Sequence, residues 1–372
     1  MAVYKIFPEK DATIYSRYPN MNTGLDEILE ISNLQDTTVS PTSGQVSRAL
    51  VKFPTTEITN TLTNKVGANL FTASLKLFLA DASNVPLDFS TECYPVYGTW
   101  NMGTGKYLDL PNTTDGVGWT SRLQSGSGDW LTSGFPTYVT ASFSVRNGGG
   151  NWYTGSATLD PSATQTFTYV TPKDIEFDVT NAIQLFNSGS IVNEGFIVKL
   201  EDSLEFISTR YMSLKYFSMD THTIYPPCLE IKWDDSTFST GSSTQTILNT
   251  SEATVSLRNN KGEFQQDSVQ RFRINSRPTY PTRTFTTSSD YLTNYYLPEG
   301  SLYQIKDVST EETIIDFDSN NTKISADSTS NYFDLYMSGL EPERYYRILI
   351  KATLDGSTIV FDDDDYIFKV VR

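Results

Sequence analysis

Ala73-Ser-Leu-Lys-Leu-Phe-Leu79 puts Leu75, Leu77 and Leu79 on one side of an extended chain and Lys76 and Phe78 on the other. Side chains switch sides at every residue of a strand, so an apolar residue at every second position marks a strand with one face on a core. The same period recurs along the chain. Phe196, Val198 and Leu200 alternate with Ile197 and Lys199, and Leu229, Ile231 and Trp233 alternate with Glu230 and Lys232. Near the end, Tyr366, Phe368 and Val370 alternate with Ile367, Lys369 and Val371. In each case the second face is expected toward solvent or a partner. Turn clusters separate these runs, among them Asn20-Met-Asn-Thr-Gly24, Pro41-Thr-Ser-Gly44 and Asp355-Gly356. The best helix signal is Thr180–Gly189. There Thr180 offers an oxygen to the first-turn amides, Ile183 and Phe186 share a face, and Gly189 supplies a stop. Without helical crossovers to join parallel strands, the chain reads as all-β and antiparallel.

A length of 372 residues corresponds to two or three domains at roughly 100–200 residues each. The 28 Lys+Arg stand against 44 Asp+Glu, a net charge of −16. Such a balance argues against nucleic acid and an anionic membrane surface as partners, since neutralising phosphates needs a basic face. The 21 Phe, 22 Tyr and 5 Trp can fill a core although aliphatic residues are modest. One histidine, His222, and two cysteines, Cys93 and Cys228, are too few for a His/Cys metal site. They also leave a nucleophile only one candidate base. No catalytic residue, metal or cofactor is therefore expected. Both cysteines read as buried thiols of a protein folded in a reducing compartment, with a single bridge as the alternative. The opening Met1-Ala-Val-Tyr-Lys-Ile-Phe-Pro8 has no basic segment ahead of an apolar stretch, so no secretory leader is expected. Nor does any apolar run approach the ~18–20 residues of a membrane helix.

Composition divides the chain. Ser236–Thr246 is rich in Ser, Thr and Gly and reads as a linker between a domain over residues 1–235 and a second over 247–372. Within the first, an insert from Tyr97 to about Gly155 holds 12 of the 22 glycines and four of the five tryptophans. Trp100, Trp119, Trp130 and Trp152 have two readings: flat faces for stacking sugar rings, or large apolar bodies that plug the insert onto the sandwich or a neighbouring subunit. Gly148-Gly-Gly150 and Gly103-Thr-Gly105 lack the Lys-Ser/Thr of a phosphate loop and read as flexible turns. Asp316-Phe-Asp318-Ser-Asn320 with Asp327 partly imitates a calcium loop. Asn321 stands where the turn glycine belongs, so a plain β-turn is expected. Asp362–Asp365 reads as a solvated turn, or as a group that fixes register against a basic patch of another subunit. His222 lies two residues from Asp220, but no Gly-x-Ser-x-Gly elbow or comparable nucleophile context accompanies it, so a structural role is expected.

Six phrases, in order, resemble a DNRLRE domain. They are Asp11-Ala-Thr-Ile-Tyr-Ser16 with Pro19–Gly24 and Leu29-Glu-Ile31, then Ser47-Arg-Ala-Leu-Val-Lys-Phe53, Ala73–Leu79, Ile175-Glu-Phe-Asp-Val-Thr180, Asn193-Glu-Gly-Phe-Ile-Val-Lys199 and Pro226-Pro-Cys-Leu-Glu-Ile-Lys-Trp233. The resemblance covers about residues 3–235 apart from the insert. It implies a jelly-roll β-sandwich like that of carbohydrate-binding modules, found in cell-surface and virion proteins. The whole sequence is similar to tailed-bacteriophage structural proteins in Gly98-Thr-Trp-Asn-Met-Gly-Thr-Gly105, Thr221-His-Thr-Ile-Tyr-Pro-Pro227, Lys232-Trp-Asp-Asp-Ser236 and Arg277-Pro-Thr-Tyr-Pro-Thr-Arg283. That similarity implies a non-enzymatic virion component made in the host cytoplasm. Its partners would be other virion proteins and copies of itself. The alternative is a glycan-binding receptor-recognition or adhesion module, with a surface glycan as partner. Leu340-Glu-Pro342-Glu-Arg-Tyr-Tyr346 is similar to the Leu-x-Pro-x-x-x-Tyr corner of fibronectin type III-like domains, implying a smaller fibronectin- or immunoglobulin-like β-domain at the C-terminus. Tyr280, Arg283, Tyr291, Tyr295 and Tyr296 fall in a less regular arm, about 270–303, expected to order against another subunit.

Overall fold

The computed structural model describes residues 2–35, 44–141, 148–155, 160–205, 207, 212–239, 246–258, 260–281 and 293–372. The chain is all-β. It forms two compact units, one of residues 6–65 and 72–230, the other of residues 1–5, 66–71 and 231–372. We call them the insert-bearing and the C-terminal unit.

An eight-stranded sheet dominates the insert-bearing unit. Its order is Ala163–Phe167, Phe89–Pro95, Phe196–Leu200, Gly44–Lys52, Ile28–Gln35, Met212–Phe217 and Leu79–Ser83, with Lys10–Tyr15 paired to Gly44–Lys52. A second sheet pairs Phe71–Leu77 with Ile175–Asp178. The stretch that reads as one strand, Ser74–Leu79, is divided between the two. Phe71–Leu77 lies in the second sheet, Phe78 is the crossing, and Leu79–Ser83 enters the eight-stranded sheet. Past the crossing the alternation lapses: Leu79 is half-buried and Ala80–Ser83 are exposed, so Leu79 does not continue the buried row of Leu75 and Leu77.

The expected open face of Phe196–Leu200 is not open: all five residues are buried. Phe196 packs against Phe186, ring centroids 5.6 Å apart, on the helix Thr180–Ser188. Ile197 points the other way, into a core shared with Trp100, Trp119 and Trp152. The insert is what covers that face. The helix ends as expected, on Gly189 at φ 72°. Its start differs. Thr180 accepts instead from the Ala73 amide at 2.9 Å, and the Asp178 carboxylate accepts from the Thr180 amide at 3.0 Å.

The C-terminal unit is built from two six-stranded sheets. Val269–Pro278 and Asn331–Tyr336 are central to one, Leu302–Asp307 and Tyr345–Leu354 to the other. The core lies between them: Tyr303 stacks on Phe333 at 4.2 Å, and Phe333 on Phe272 at 5.3 Å. Period-2 alternation holds in Ile367–Val371, where Phe368 and Val370 are fully buried. The Tyr346 hydroxyl donates back to the Glu341 carbonyl at 3.0 Å while Leu340 and Tyr346 are buried, which is the geometry of a tyrosine corner. Two short pairings are parallel, Thr246–Ile247 with Tyr295–Tyr296 and Glu263–Gln265 with Ile367–Val371. In the stretch read as a linker, the Ser239 amide bonds the Ala326 carbonyl at 3.0 Å. Residues 240–245 lie outside the described residues.

Candidate functional site

Period 2 places Lys10, Ala12 and Ile14, then Val46, Arg48 and Leu50, then Ile197 and Lys199, on the face of the eight-stranded sheet that the insert covers. Three of these are cations at positions where alternation calls for apolar side chains. Arg48, between Val46 and Leu50, is fully buried. Its Nε donates to Glu205 Oε1 at 2.6 Å and its Nη2 to Oε2 at 2.7 Å, a bidentate pair with both side chains at 0% exposure. Nη1 donates to the Gly149 carbonyl. The guanidinium lies 5.0 Å from the Trp119 ring and 5.2 Å from the Trp152 ring, within range for cation–π attraction in a desolvated setting.

Lys199 repeats the device. Its Nζ donates to Glu92 at 2.6 Å and Asp202 at 2.7 Å, and lies 5.7 Å from both the Tyr94 and Trp152 rings. Lys10 donates to the Trp100 carbonyl and sits 4.4 Å from that indole. Burial, and then the neighbouring Lys52, push the Lys10 ammonium below its ordinary pKa. The other end of Trp100 is fixed too: its Nε1 donates to the Glu194 carbonyl at 2.8 Å.

Two backbone features complete the fastening. Asn22, buried in the turn that resembles the Asn-x-Gly turn, spends its whole amide on the chain around it. Its Nδ2 donates to the Met102 and Val117 carbonyls at 2.6 and 3.0 Å, and its Oδ1 accepts from the Gly105 and Gly24 amides at 2.9 and 3.2 Å. Gly148-Gly-Gly150 is not a flexible turn. Its residues are buried and hold φ of 147°, 85° and 99°. A Cβ on Gly148 would stand 2.1 Å from the Trp119 carbonyl oxygen, and one on Gly149 would stand 2.7 Å from Arg48 Nη1. Only glycine lets this backbone come so close.

The predicted aromatic residues fall into two groups. Trp100, Trp119, Trp130 and Trp152 come together with the sheet cations and are 0, 0, 2 and 5% exposed. Their rings are enclosed by protein, leaving no face for a sugar. Of the arm residues, Tyr280 is exposed, Tyr295 is half-buried, and Tyr296 is buried inside its own unit. Arg283 and Tyr291 lie outside the described residues. Asp316, Asp318 and Asp327 take separate partners: Gln304 at 2.6 Å, the Asn320 amide at 2.6 Å and Arg273 at 2.9 Å. His222 is exposed. Cys93 and Cys228 are both buried and unbridged. Among the described residues, no group of three or more His, Cys, Asp and Glu side chains is placed to hold a metal ion, and no helix is long and apolar enough to cross a membrane.

The insert does present something outward. In Lys106–Pro111, Tyr107 leans on Tyr15 at 5.1 Å and Tyr18 at 6.2 Å, while the Lys106 amide donates to Asp109 at 2.7 Å. Leu108, at φ 57°, is held in the left-handed region, which costs a non-glycine residue about 1–2 kcal/mol. Leu108 is exposed, and Leu110 is 95% exposed.

Sequence reasoning missed Arg48, Lys199, Asn22 and Glu205. A cation at a core-facing strand position was the available signal for the first two. Glu205 has none, being 157 residues from Arg48.

No known family model matches this chain, and no curated protein matches it. Among solved structures it is similar to a DUF4785 family protein from Legionella pneumophila, with 9% identity and a TM-score of 0.18. The match covers 100% of this chain and 62% of that one, so the chain spans less than two thirds of that protein's length. A TM-score this low carries no argument about fold or function.

Proposed function

We propose that this chain is a non-enzymatic structural component of a tailed-phage virion, in the head, neck, tail or baseplate, acting through contacts with other particle proteins and with copies of itself. One observation carries the contact reading: exposed Leu108 and Leu110 project from a loop braced on Tyr15 and Tyr18, on an insert fastened by buried cations. A pre-ordered apolar projection loses little entropy on docking, which favours it as an anchor. The DNRLRE-like and phage-like phrases supply the setting.

The test is quantitative mass spectrometry on gradient-purified particles separated into heads and tails. Recovery in one fraction at a fixed, symmetric copy number is expected. Presence in infected-cell lysate together with absence from purified particles overturns the proposal.

A further inference from the structure

The C-terminal unit blunts nearly all of its described sheet edges. Thr246–Ile247 and Ser325–Ala326 are two residues long; Glu263–Gln265 and Thr313–Ile315 are three, the latter beside a register shift. Ala253–Leu257 is longer, but its Val255 carbonyl is taken by the Tyr366 hydroxyl at 2.7 Å. Short, charged, irregular or covered edges are how β-proteins avoid unwanted pairing.

Ser357–Phe361 has none of these protections. It is a regular five-residue strand, Ser-Thr-Ile-Val-Phe, without charge or proline, and among the described residues its one strand partner is Tyr345–Leu354. The turn between them, Asp355-Gly356, has both residues at positive φ, 47° and 73°, as a two-residue hairpin turn requires. In such a hairpin Leu354 and Ser357 form the first hydrogen-bonded pair, and pairs then alternate. Thr358 and Val360, opposite Thr353 and Lys351, fall at the non-hydrogen-bonded positions. Their amides and carbonyls therefore point to the open edge. Their side chains are exposed as well, while Ile359 and Phe361 pack against the core.

Directly after this strand, Asp362, Asp363 and Asp364 line a recess of about 380 Å3 together with Arg347. Three carboxylates thus face one guanidinium, whose Nη1 lies 3.4 Å from Asp362. Burial first, and then Asp363, Asp362 and Asp365, raise the Tyr366 hydroxyl well above its ordinary pKa, in keeping with a negative field at this end of the strand.

We propose that Ser357–Phe361 accepts one further strand, an extended segment of a partner protein carrying Lys or Arg where it reaches Asp362–Asp364. Main-chain bonds to Thr358 and Val360 would hold the segment, and the acidic recess would select its charge. A second copy fits worse. The two-fold pairing that sets Thr358 opposite Val360 also sets Asp363 opposite Asp355 of the other copy, and like charges directly opposite destabilise a sheet. The inference deepens the assembly reading and rests on it only for the partner being a particle protein.

The probe is a synthetic peptide of alternating threonine and valine with two arginines at one end or the other, so that either strand direction brings them to the recess. The full chain is titrated with it, and amide exchange is followed at Thr358 and Val360. Binding with slowed exchange at both amides is expected. Val360→Pro removes one outward donor at an edge position that tolerates proline, and is expected to weaken binding about tenfold. Asp362→Asn with Asp363→Asn and Asp364→Asn leaves the strand intact; it is expected to weaken binding and flatten its salt dependence. No binding at about 1 mM peptide overturns the proposal, as does equal binding of a glutamate-ended peptide. Self-association that Val360→Pro abolishes assigns the edge to a second copy instead. Absence of the protein from particles leaves the peptide result standing, and a failed titration leaves particle recovery standing.

Discussion

The two units close their cores by opposite means. In the C-terminal unit two regular sheets meet, and the contact is made of rings and aliphatic chains: Tyr303 on Phe333, Phe333 on Phe272, with Ile305, Ile348 and Val370 around them. Its ion pairs Arg271–Asp334 and Arg273–Asp327 stay partly exposed, and in the Arg344–Asp307 pair the carboxylate is buried while the guanidinium stays partly exposed. In the insert-bearing unit one face of a sheet is closed by a segment with few strands. There the core contains Arg48 and Glu205, with Lys199 and Asn22 nearby, all buried. An irregular segment brings carbonyls and amides inward with no ladder to satisfy them, so charged and amide side chains must do it. Regular layers need hydrophobic shape; an irregular layer also needs specific polar keys, and each key is a point of fragility.

The largest effect should come from removing one key. Arg48→Ala leaves Glu205 as an uncompensated buried carboxylate and opens a hole between Trp119 and Trp152. A loss of about 3–5 kcal/mol is expected, read from urea unfolding followed by tryptophan emission. Replacing both partners, Arg48→Met with Glu205→Leu, should recover most of that loss, because the pair offers little over apolar residues of like volume. If the double variant is no better than the single one, the pair is more than a key and the comparison fails. Gly149→Ala should cost about 3 kcal/mol, combining overpacking against Arg48 and Trp119 with a left-handed φ. The same exchange at Gly262 or Gly356, where a Cβ meets nothing within 4 Å, carries only the backbone strain.

These keys explain where the sequence was legible and where it was not. The last strand of the C-terminal unit can be read from Phe368 and Val370, because alternation and burial coincide there. Its tyrosine corner can be read from Leu340 and Tyr346, since both partners of the hydrogen bond lie within six residues. The insert tryptophans were legible as candidates for burial. Their anchors were not: Arg48 and Glu205 meet across 157 residues, and Asn22 meets Val117 across 95. Periodicity carries no information on which distant loop will cover a face. The same blindness made the far side of Phe196–Leu200 look directed to solvent or a partner and Gly148–Gly150 look flexible.

Opposite pH responses should sharpen the contrast. Asp11, in the insert-bearing unit, has its carboxyl pushed up to about 8, chiefly by burial and then by Asp220 and Asp26, although it accepts the Met219 amide at 2.7 Å. A raised carboxyl pKa means the unfolded chain releases this proton first. The unit should therefore lose stability as pH rises from about 4 toward 8, by at most about 1.4 kcal/mol per pH unit from this group. Asp11→Asn should flatten that slope. In the C-terminal unit, Asp327 is held down at about 2 by its bonds to Arg273 and the Thr329 and Ser330 amides, despite opposing burial. Asp307 is lower still: its burial opposes the shift, but Arg344 and hydroxyl and amide donors bring it down. Depressed carboxyls stabilise the fold above about pH 4, and that contribution disappears as pH falls through their folded values. Peptide-resolved hydrogen exchange on Gly44–Lys52 and on Tyr345–Leu354 reports the two units separately. Parallel responses in both would remove the distinction.

The smallest expected effect tests the regular unit on its own terms. Tyr346→Phe deletes the hydroxyl that donates to the Glu341 carbonyl but keeps the ring among Phe368 and its neighbours, 5.8 Å between centroids. A neutral hydrogen bond at the margin of a core contributes about 1 kcal/mol, and the ring's packing is unchanged, so protection of Tyr345–Leu354 should fall by roughly that amount. If the two-sheet core rests on shape, no larger loss is available from a single polar atom. A loss matching that of Arg48→Ala would mean that Tyr346 is itself a key, and that the corner organises the C-terminal unit as tightly as the caged guanidinium organises the other.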